Sequence, residues 1–401
     1  MTGPKEWLLA TRAVHAGKLD SGLDCTPTVA PIHQSVTYHH PTMQALDDIF
    51  AGKREGYVYA RYGNPTVAAF ERAVASLEAG EAALAFSSGM AAIHAALLAV
   101  GARNGTAVVA AQDLYGATHS LLTDLMSSQG VTVRFVDTND RPAVEAACAA
   151  LKPVALLVET ISNPLLRVAN IPMLADVAHG CGAALLVDST FATPALVRPL
   201  ALGADVVIHS ATKYLSGHGD VLGGVIVTSE EARAEAHEIL KLTGGNLGPQ
   251  DAWLALRGLR TLALRMGQNC ENALTVASWL ESHPRIRRAH YPGLPSHPDY
   301  DLATSLVRKR GYGGMVSFEI VNAGRSDVFR FLEALRLCVP ATTLGDVQSL
   351  LLYPAHSSHR ALGAEERKRI GITDGLVRMS VGIEAVADIL DDLKQALAAL
   401  D

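Results

Sequence analysis

Ala204-Asp205-Val206-Val207-Ile208-His209-Ser210-Ala211-Thr212-Lys213-Tyr214 begins as an apolar run of strand length and ends in two hydroxyl residues and a lysine. The run does not stand alone. Apolar stretches recur at 82–86, 106–111, 131–136, 153–158, 183–187 and 223–227, mostly separated by helix-length, often alanine-rich segments. Strands alternating with helices read as βαβ units and a mostly parallel sheet covered on both faces, an α/β fold. Upstream, a helical pattern from Thr66 through Phe70, Val74 and Leu77 ends near Gly80. Residues 1–64 show no regular period, carry Pro27, Pro31 and Pro41, and read as an N-terminal arm. Beyond about residue 263 the pattern changes. Helical segments around 264–282 and 326–336 flank a strand candidate at Met315–Val321, and a helix at 384–400 closes the chain. The expected organisation is an arm (1–64), a ligand-binding domain (65–263) and a smaller α+β C-terminal domain (264–401).

Bulk properties narrow the function. The 401 residues are 49% hydrophobic and 18% charged with a net charge of −6, an ordinary soluble composition with no nucleic-acid footprint. Arg285, Arg287 and Arg288 read as a solvated surface patch. The five cysteines (25, 148, 181, 270 and 338) lack metal-ligand spacing and fit reduced thiols better than a disulfide framework. Trp7-Leu8-Leu9-Ala10 is too short for a signal core, and no stretch reaches the length of a membrane span, so a cytoplasmic protein is expected. No metal is expected, since His209 and His218 are not a convincing ligand pair. No Gly-x-Ser-x-Gly elbow supports serine hydrolase chemistry.

In open α/β sheets, ligands bind beyond the carboxyl ends of the strands, so the residues after each run carry the functional reading. Lys213 lies just past one such end, with Ser210 and Thr212 before it; none of the other eight lysines directly follows a buried strand in this way. An amine there suits a Schiff base with pyridoxal phosphate, and the hydroxyls suit its phosphate. Taken alone the stretch equally suits a loop lysine beside a Ser/Thr-rich turn. Asp188 closes the 183–187 run, where a carboxylate can cap a helix, bind a metal or, beside a Schiff-base lysine, hold a pyridine nitrogen protonated. Ser88-Gly89-Met90 after the first run lets backbone N–H groups approach a phosphate at a helix start, or is a plain tight turn. Tyr115, after the 106–111 run, either stacks on a cofactor or caps the core.

Together these stretches resemble the cysteine and methionine metabolism family of pyridoxal phosphate enzymes over essentially the whole chain. The matching segments are Tyr59-Ala60-Arg61 with Asn64-Pro65-Thr66, Ser88-Gly89-Met90, Leu114-Tyr115-Gly116, Glu159-Thr160 with Ser162-Asn163-Pro164, and Val187-Asp188. Further on they are Ser210 to Tyr214 with Gly217-His218-Gly219-Asp220, Leu344-Gly345-Asp346, and Gly375 to Glu384. The resemblance implies the aspartate-aminotransferase-like fold (fold type I), with Lys213 as the Schiff-base lysine and Asp188 as partner of the ring nitrogen. It implies that Gly89, Met90, Ser210 and Thr212 bind the phosphate and that Tyr115 stacks on the ring and acts as an acid. Asn163 would lie near the cofactor's phenolic oxygen and the substrate, Thr343 would line the substrate, and Arg378 would pair with the substrate carboxylate. Tyr59 and Arg61 would reach the phosphate of a neighbouring subunit in a homotetramer built of two catalytic dimers. Within the family, Gly217 to Asp220, Lys241 with Thr243-Gly244, and Leu344 to Asp346 resemble methionine γ-lyase most. The family's usual cysteine after the Tyr-Gly pair is Ala117 here, and its usual serine before Leu-Gly is Thr343. The expected reaction is γ-elimination on methionine or homocysteine. The alternatives are cystathionine γ-synthase or γ-lyase and O-acylhomoserine sulfhydrylase, and the contrasting class is a non-catalytic binding protein on the same fold.

Overall fold

The computed structural model describes residues 7–17, 27–307, 311–357, 360, 363, 367 and 370–400. The seven apolar runs form one sheet: β1 (Ala82–Phe86), β2 (Ala107–Ala111), β3 (Thr132–Val136), β4 (Ala155–Glu159), β5 (Ala184–Asp188), β6 (Val206–Ser210) and β7 (Gly224–Thr228). Their order is β1-β7-β6-β5-β4-β2-β3. Strands β2 to β6 are parallel, as the alternation with helices predicts. β4 is buried along its whole length, which suits a near-continuous apolar run with helices on both faces. β3, at the sheet edge, is more exposed and mixes polar with apolar residues.

β7 departs from the parallel pattern. It runs antiparallel to both β6 and β1, with Ser210 opposite Gly224. A parallel neighbour requires a crossover that climbs over one face of the sheet, usually as a helix. Here residues 211–223 instead form a short wide turn carrying Lys213 and a loop that brings the chain straight back.

Two helix starts show why the chain turns where it does. Asn64 caps Pro65–Glu78, its side chain accepting from the Thr66 and Val67 N–H groups, with Pro65 at the first helical position. Ser88 caps Gly89–Ala99 by accepting from Ala91. The arm, read as aperiodic, contains two short helices, Leu9–His15 and Met43–Phe50. Elements of two turns are too short to leave a clear apolar period.

A second sheet comprises β8 (Ile286–His290), β9 (Met315–Ile320), β10 (Val339–Pro340), β11 (Leu350–Leu352) and β12 (Leu376–Ser380), in the order β10-β11-β12-β9-β8. Helix Val386–Ala398 packs Ile389, Leu393 and Leu397 inward at fourfold spacing. Two hydrophobic cores result, and the long helix Leu262–Ser282 joins them. Its Leu262, Met266 and Cys270 belong to the first core, and its Ala273, Val276 and Leu280 to the second. Cys148, Cys270 and Cys338 are buried, Cys181 is half-buried and all four are free thiols; Cys25 lies outside the described residues. Among the described residues no helix is long and apolar enough to cross a membrane.

Candidate active site

The carboxyl ends of β4, β5 and β6 open onto a cavity of about 470 Å³ lined by Glu159, Asp188, Ser210, Thr212 and Lys213. Gly89 and Met90 line it from the start of the Gly89–Ala99 helix, Tyr115 and Asn163 from loops, and Arg378 from β12 of the second sheet. Residues spread over 290 positions of sequence therefore meet in one cleft.

The helix start fits tightly over the strand ends. A Cβ on Gly89 would lie 2.9 Å from the Ser210 Cβ, and one on Gly224 would lie 2.2 Å from the Ser88 carbonyl oxygen. Only residues without side chains permit this approach. Ser88 satisfies Ala91, while Gly89 and Met90 occupy the first two helical positions, whose N–H groups have no partner within a helix. Beside Ser210 this is a cradle for an anion. The Thr212 hydroxyl is already engaged with the Gly223 main chain, accepting from its N–H at 3.0 Å.

The charged groups are arranged by sign. Lys213 Nζ donates to Thr343 Oγ1 at 2.8 Å. Burial, and then the Arg378 charge, lower its ammonium to about 8. Arg378 is fully buried, donating from Nη1 to Asn163 Oδ1 at 3.0 Å and from Nη2 to the Thr343 carbonyl at 3.3 Å. Its Nε has no partner among the described residues, and burial lowers the guanidinium to about 10. A buried guanidinium with an unmet donor on a cavity wall is suited to a carboxylate ligand. Asp188 Oδ1 accepts from the Thr190 N–H at 3.0 Å and the Thr190 hydroxyl at 2.6 Å. Burial raises its carboxyl, while the two Thr190 bonds oppose that rise.

The loop carrying Asn163 is clamped between the two cores. Arg167 makes a two-pronged ion pair with Asp299 (2.6 and 3.0 Å), Asp299 also accepts from the Val168 N–H, and Ser317 of β9 donates to the Pro164 carbonyl.

Of the residues singled out from sequence, Gly89, Met90, Tyr115, Asn163, Asp188, Ser210, Thr212, Lys213 and Arg378 line this cavity, and Thr343 contacts Lys213 and Arg378 behind it. Tyr59 and Arg61 are not among the lining residues. The Arg61 guanidinium sits over the rings of Tyr62 (4.9 Å) and Tyr59 (5.6 Å) and donates to the Lys241 carbonyl at 2.6 Å. His209 is fully buried, its Nε2 2.7 Å from Glu78 Oε1, and His218 bonds the Ser216 carbonyl. Sequence alone assigns no site role to Thr190 or Glu159. A hydroxyl two positions after a strand-end aspartate, and an acid ending a buried run, are the signals that could have found them. Phe191, Leu222 and Leu352 also line the cavity, and nothing local distinguishes them from core residues.

The donor set fits pyridoxal phosphate: an anion cradle, a lysine of lowered basicity, a buried carboxylate and an aromatic ring on one cleft. The sheet order and the site together define a fold type I pyridoxal phosphate enzyme. A profile of the Cys/Met metabolism PLP-dependent enzyme family matches residues 10–398, and the chain belongs to that family. It is 45% identical to a cystathionine gamma-lyase of Bacillus subtilis (96% of this chain, 98% of the relative). It is 43% identical to an L-methionine gamma-lyase of Porphyromonas gingivalis (98% and 97%). Among solved structures it resembles a cystathionine gamma synthase from Xanthomonas oryzae pv. oryzae, with a TM-score of 0.91 and 37% identity over 98% of each chain. The chain is thus a pyridoxal phosphate-dependent enzyme whose relatives include carbon–sulfur lyases.

Proposed function

We propose that this enzyme catalyses γ-elimination on methionine or homocysteine, giving 2-oxobutanoate, ammonia and a thiol or sulfide. The observation carrying this reading is the cavity lining, which includes Thr342 together with the apolar Leu222, Leu344, Leu352 and Phe191. Among the described residues the only lining carboxylates are Glu159 and Asp188, at the strand ends. Family members that select cystathionine tend to place a glutamate at the Thr342 position, where it meets the distal ammonium. A neutral hydroxyl loses the stronger charged hydrogen bond, about 1.5–3 kcal/mol against about 1, so an uncharged tail is favoured.

Pyridoxal phosphate, when bound, supplies an electron sink for carbanion chemistry. The chain's residues would do the rest. Lys213 carries the cofactor between turnovers and, once its amine is free, takes the proton from the substrate Cα. It would hand that proton on to the conjugated carbon beside the substrate nitrogen and, neutral again, take a proton from Cβ. Tyr115 would protonate the departing sulfur as the Cγ–S bond breaks, and water would release ammonia. Arg378 would hold the substrate carboxylate, Asn163 would lie near the cofactor's phenolic oxygen and the substrate, and Asp188 would oppose a positive ring nitrogen. Gly89, Met90, Ser210 and Thr212 bind the phosphate. On this reading residues 65–263 form the cofactor domain, 264–401 the smaller domain and 1–64 the arm. The protein is cytoplasmic and assembles as a homotetramer of two catalytic dimers, with Tyr59 and Arg61 serving the neighbouring site.

The competing readings are γ-replacement on an O-acylhomoserine and cystathionine cleavage, the latter supported by the similarity to the Bacillus cystathionine gamma-lyase. A product assay over methionine, homocysteine, cystathionine and O-acylhomoserines separates them. Methionine or homocysteine is expected to show the higher kcat/KM, and Thr342→Glu to move the ratio towards cystathionine. A wild-type preference for cystathionine, or its synthesis without turnover of methionine, overturns the assignment.

A further inference from the structure

Glu159 ends β4 directly beside Asp188, which ends β5; the two are in register on adjacent parallel strands and line the same cavity. One carboxylate, Asp188, is accounted for by the ring nitrogen. The other has no role in the scheme above, yet its contacts are specific. Glu159 Oε1 accepts the Tyr115 N–H at 2.6 Å, and the Asn163 N–H faces the carboxyl and favours its charged form. Tyr115 opens the segment after β2 and Asn163 lies in the loop after β4, so a single side chain stands between the main chains bearing the ring-stacking phenol and the Arg378-bound amide.

We infer that Glu159 is a positioning residue, tying the Tyr115 and Asn163 main chains to the strand end that carries Asp188 and so setting the spacing between phenol and amide across the cavity. This deepens, and rests on, the reading of the cleft as a pyridoxal phosphate site.

The side chain does this as a neutral acid. Two buried carboxylates in register cannot both ionise cheaply. The charges acting on Glu159 are those of Asp188 and Asp113, both acidic; burial first and Asp188 second raise its carboxyl well above the ordinary range, outweighing the opposing Tyr115 and Asn163 N–H groups. Asp188 has the Thr190 hydroxyl and N–H to support a negative charge. The proton therefore rests on Glu159, leaving Asp188 as the anion facing the ring.

The test compares Glu159→Gln with Glu159→Ala in the purified holoenzyme, reading visible circular dichroism of the bound cofactor and its dissociation constant, with melting of the cofactor-free forms as a folding control. Glutamine has the shape and hydrogen-bonding capacity of the neutral acid. It is expected to keep the wild-type dichroism and a dissociation constant within about twofold of wild type, since no buried donor loses its acceptor. Alanine leaves buried N–H groups unpaired and is expected to weaken cofactor binding about tenfold, alter the dichroism and raise KM through Asn163. A glutamine variant as impaired as the alanine one shows that a charge is needed and overturns the inference. So does an alanine variant with wild-type dichroism and affinity. If alanine prevents folding, glutamine decides alone: wild-type dichroism upholds the inference and altered dichroism sinks it. Binding and dichroism are read without substrate, so failure to turn over methionine does not bear on the positioning role of Glu159.

Discussion

Burial first, and the neighbouring Arg378 guanidinium second, lower the Lys213 ammonium to about 8. An ordinary lysine is almost wholly charged at neutral pH, whereas at this value roughly a tenth of the amine is free at pH 7. In the cofactor-free protein the same shift has a consequence for stability. Between about 8 and the usual lysine value the folded chain binds fewer protons than the unfolded chain, so stability rises with pH across that window. The cost of burying the ammonium is fully present below about 8. Lys213→Met, which removes the charge and keeps the chain length, is expected to melt above the cofactor-free wild type at pH 7. The difference in Tm should shrink as pH climbs beyond 8. A difference that stays constant over that range rules out Lys213 as the titrating group.

At the scale of elements, the anion cradle exists because the Gly89–Ala99 helix starts almost in contact with the ends of β6 and β7. The closeness at Gly89 and Gly224 is steric, so a single methyl tests it. In Gly89→Ala the new Cβ would meet Ser210 Cβ at 2.9 Å and its Cα at 3.2 Å, partly main chain that cannot swing aside. Overpacking of this kind costs about 1–3 kcal/mol. The expected outcome is a lower Tm and weaker cofactor retention, measured by dialysis and visible absorbance. Wild-type retention would show that the helix start is not where the phosphate sits. The antiparallel return of β7 belongs to the same construction, because the 211–223 connection places Lys213 and Gly224 at the same end of the sheet, beyond the carboxyl end of β6.

Across the whole molecule, the clamp of Arg167 on Asp299 and the bond from Arg378 to Asn163 hold the two cores around one cleft. Tyr59 and Arg61 lie outside that cleft within a single chain, and the proposed assembly gives them a place in a neighbour's site. Arg61→Ala alone should then retain cofactor poorly, as a charge-assisted phosphate contact is lost. Mixing it with inactive Lys213→Ala protein should restore part of the activity, since one site of a hybrid dimer is intact in every residue. Subunit exchange is verified first by mass tags; absence of complementation after exchange counts against shared sites.

The sequence by itself determined the strands of the large sheet, the long helices and the strand-end residues that meet in the cleft. These are local matters: apolar runs bury as strands, Asn64 and Ser88 cap helices through their own side chains, and in parallel sheets strand ends are where ligands bind. Resemblance added Arg378, Asn163 and Thr343, which no periodicity distinguishes. Only the tertiary structure decided that β7 runs backwards and that the arm contains two short helices. It alone showed that His209 is buried on Glu78 and that Glu159 binds the main chain at Tyr115. The physical reason is distance along the chain. Asn163 and Arg378 are 215 residues apart, and Glu78 and His209 are 131 apart. Such pairs depend on how distant segments pack, within one core for Glu78 and His209 and between two for Asn163 and Arg378, while a strand or a cap depends only on its neighbours.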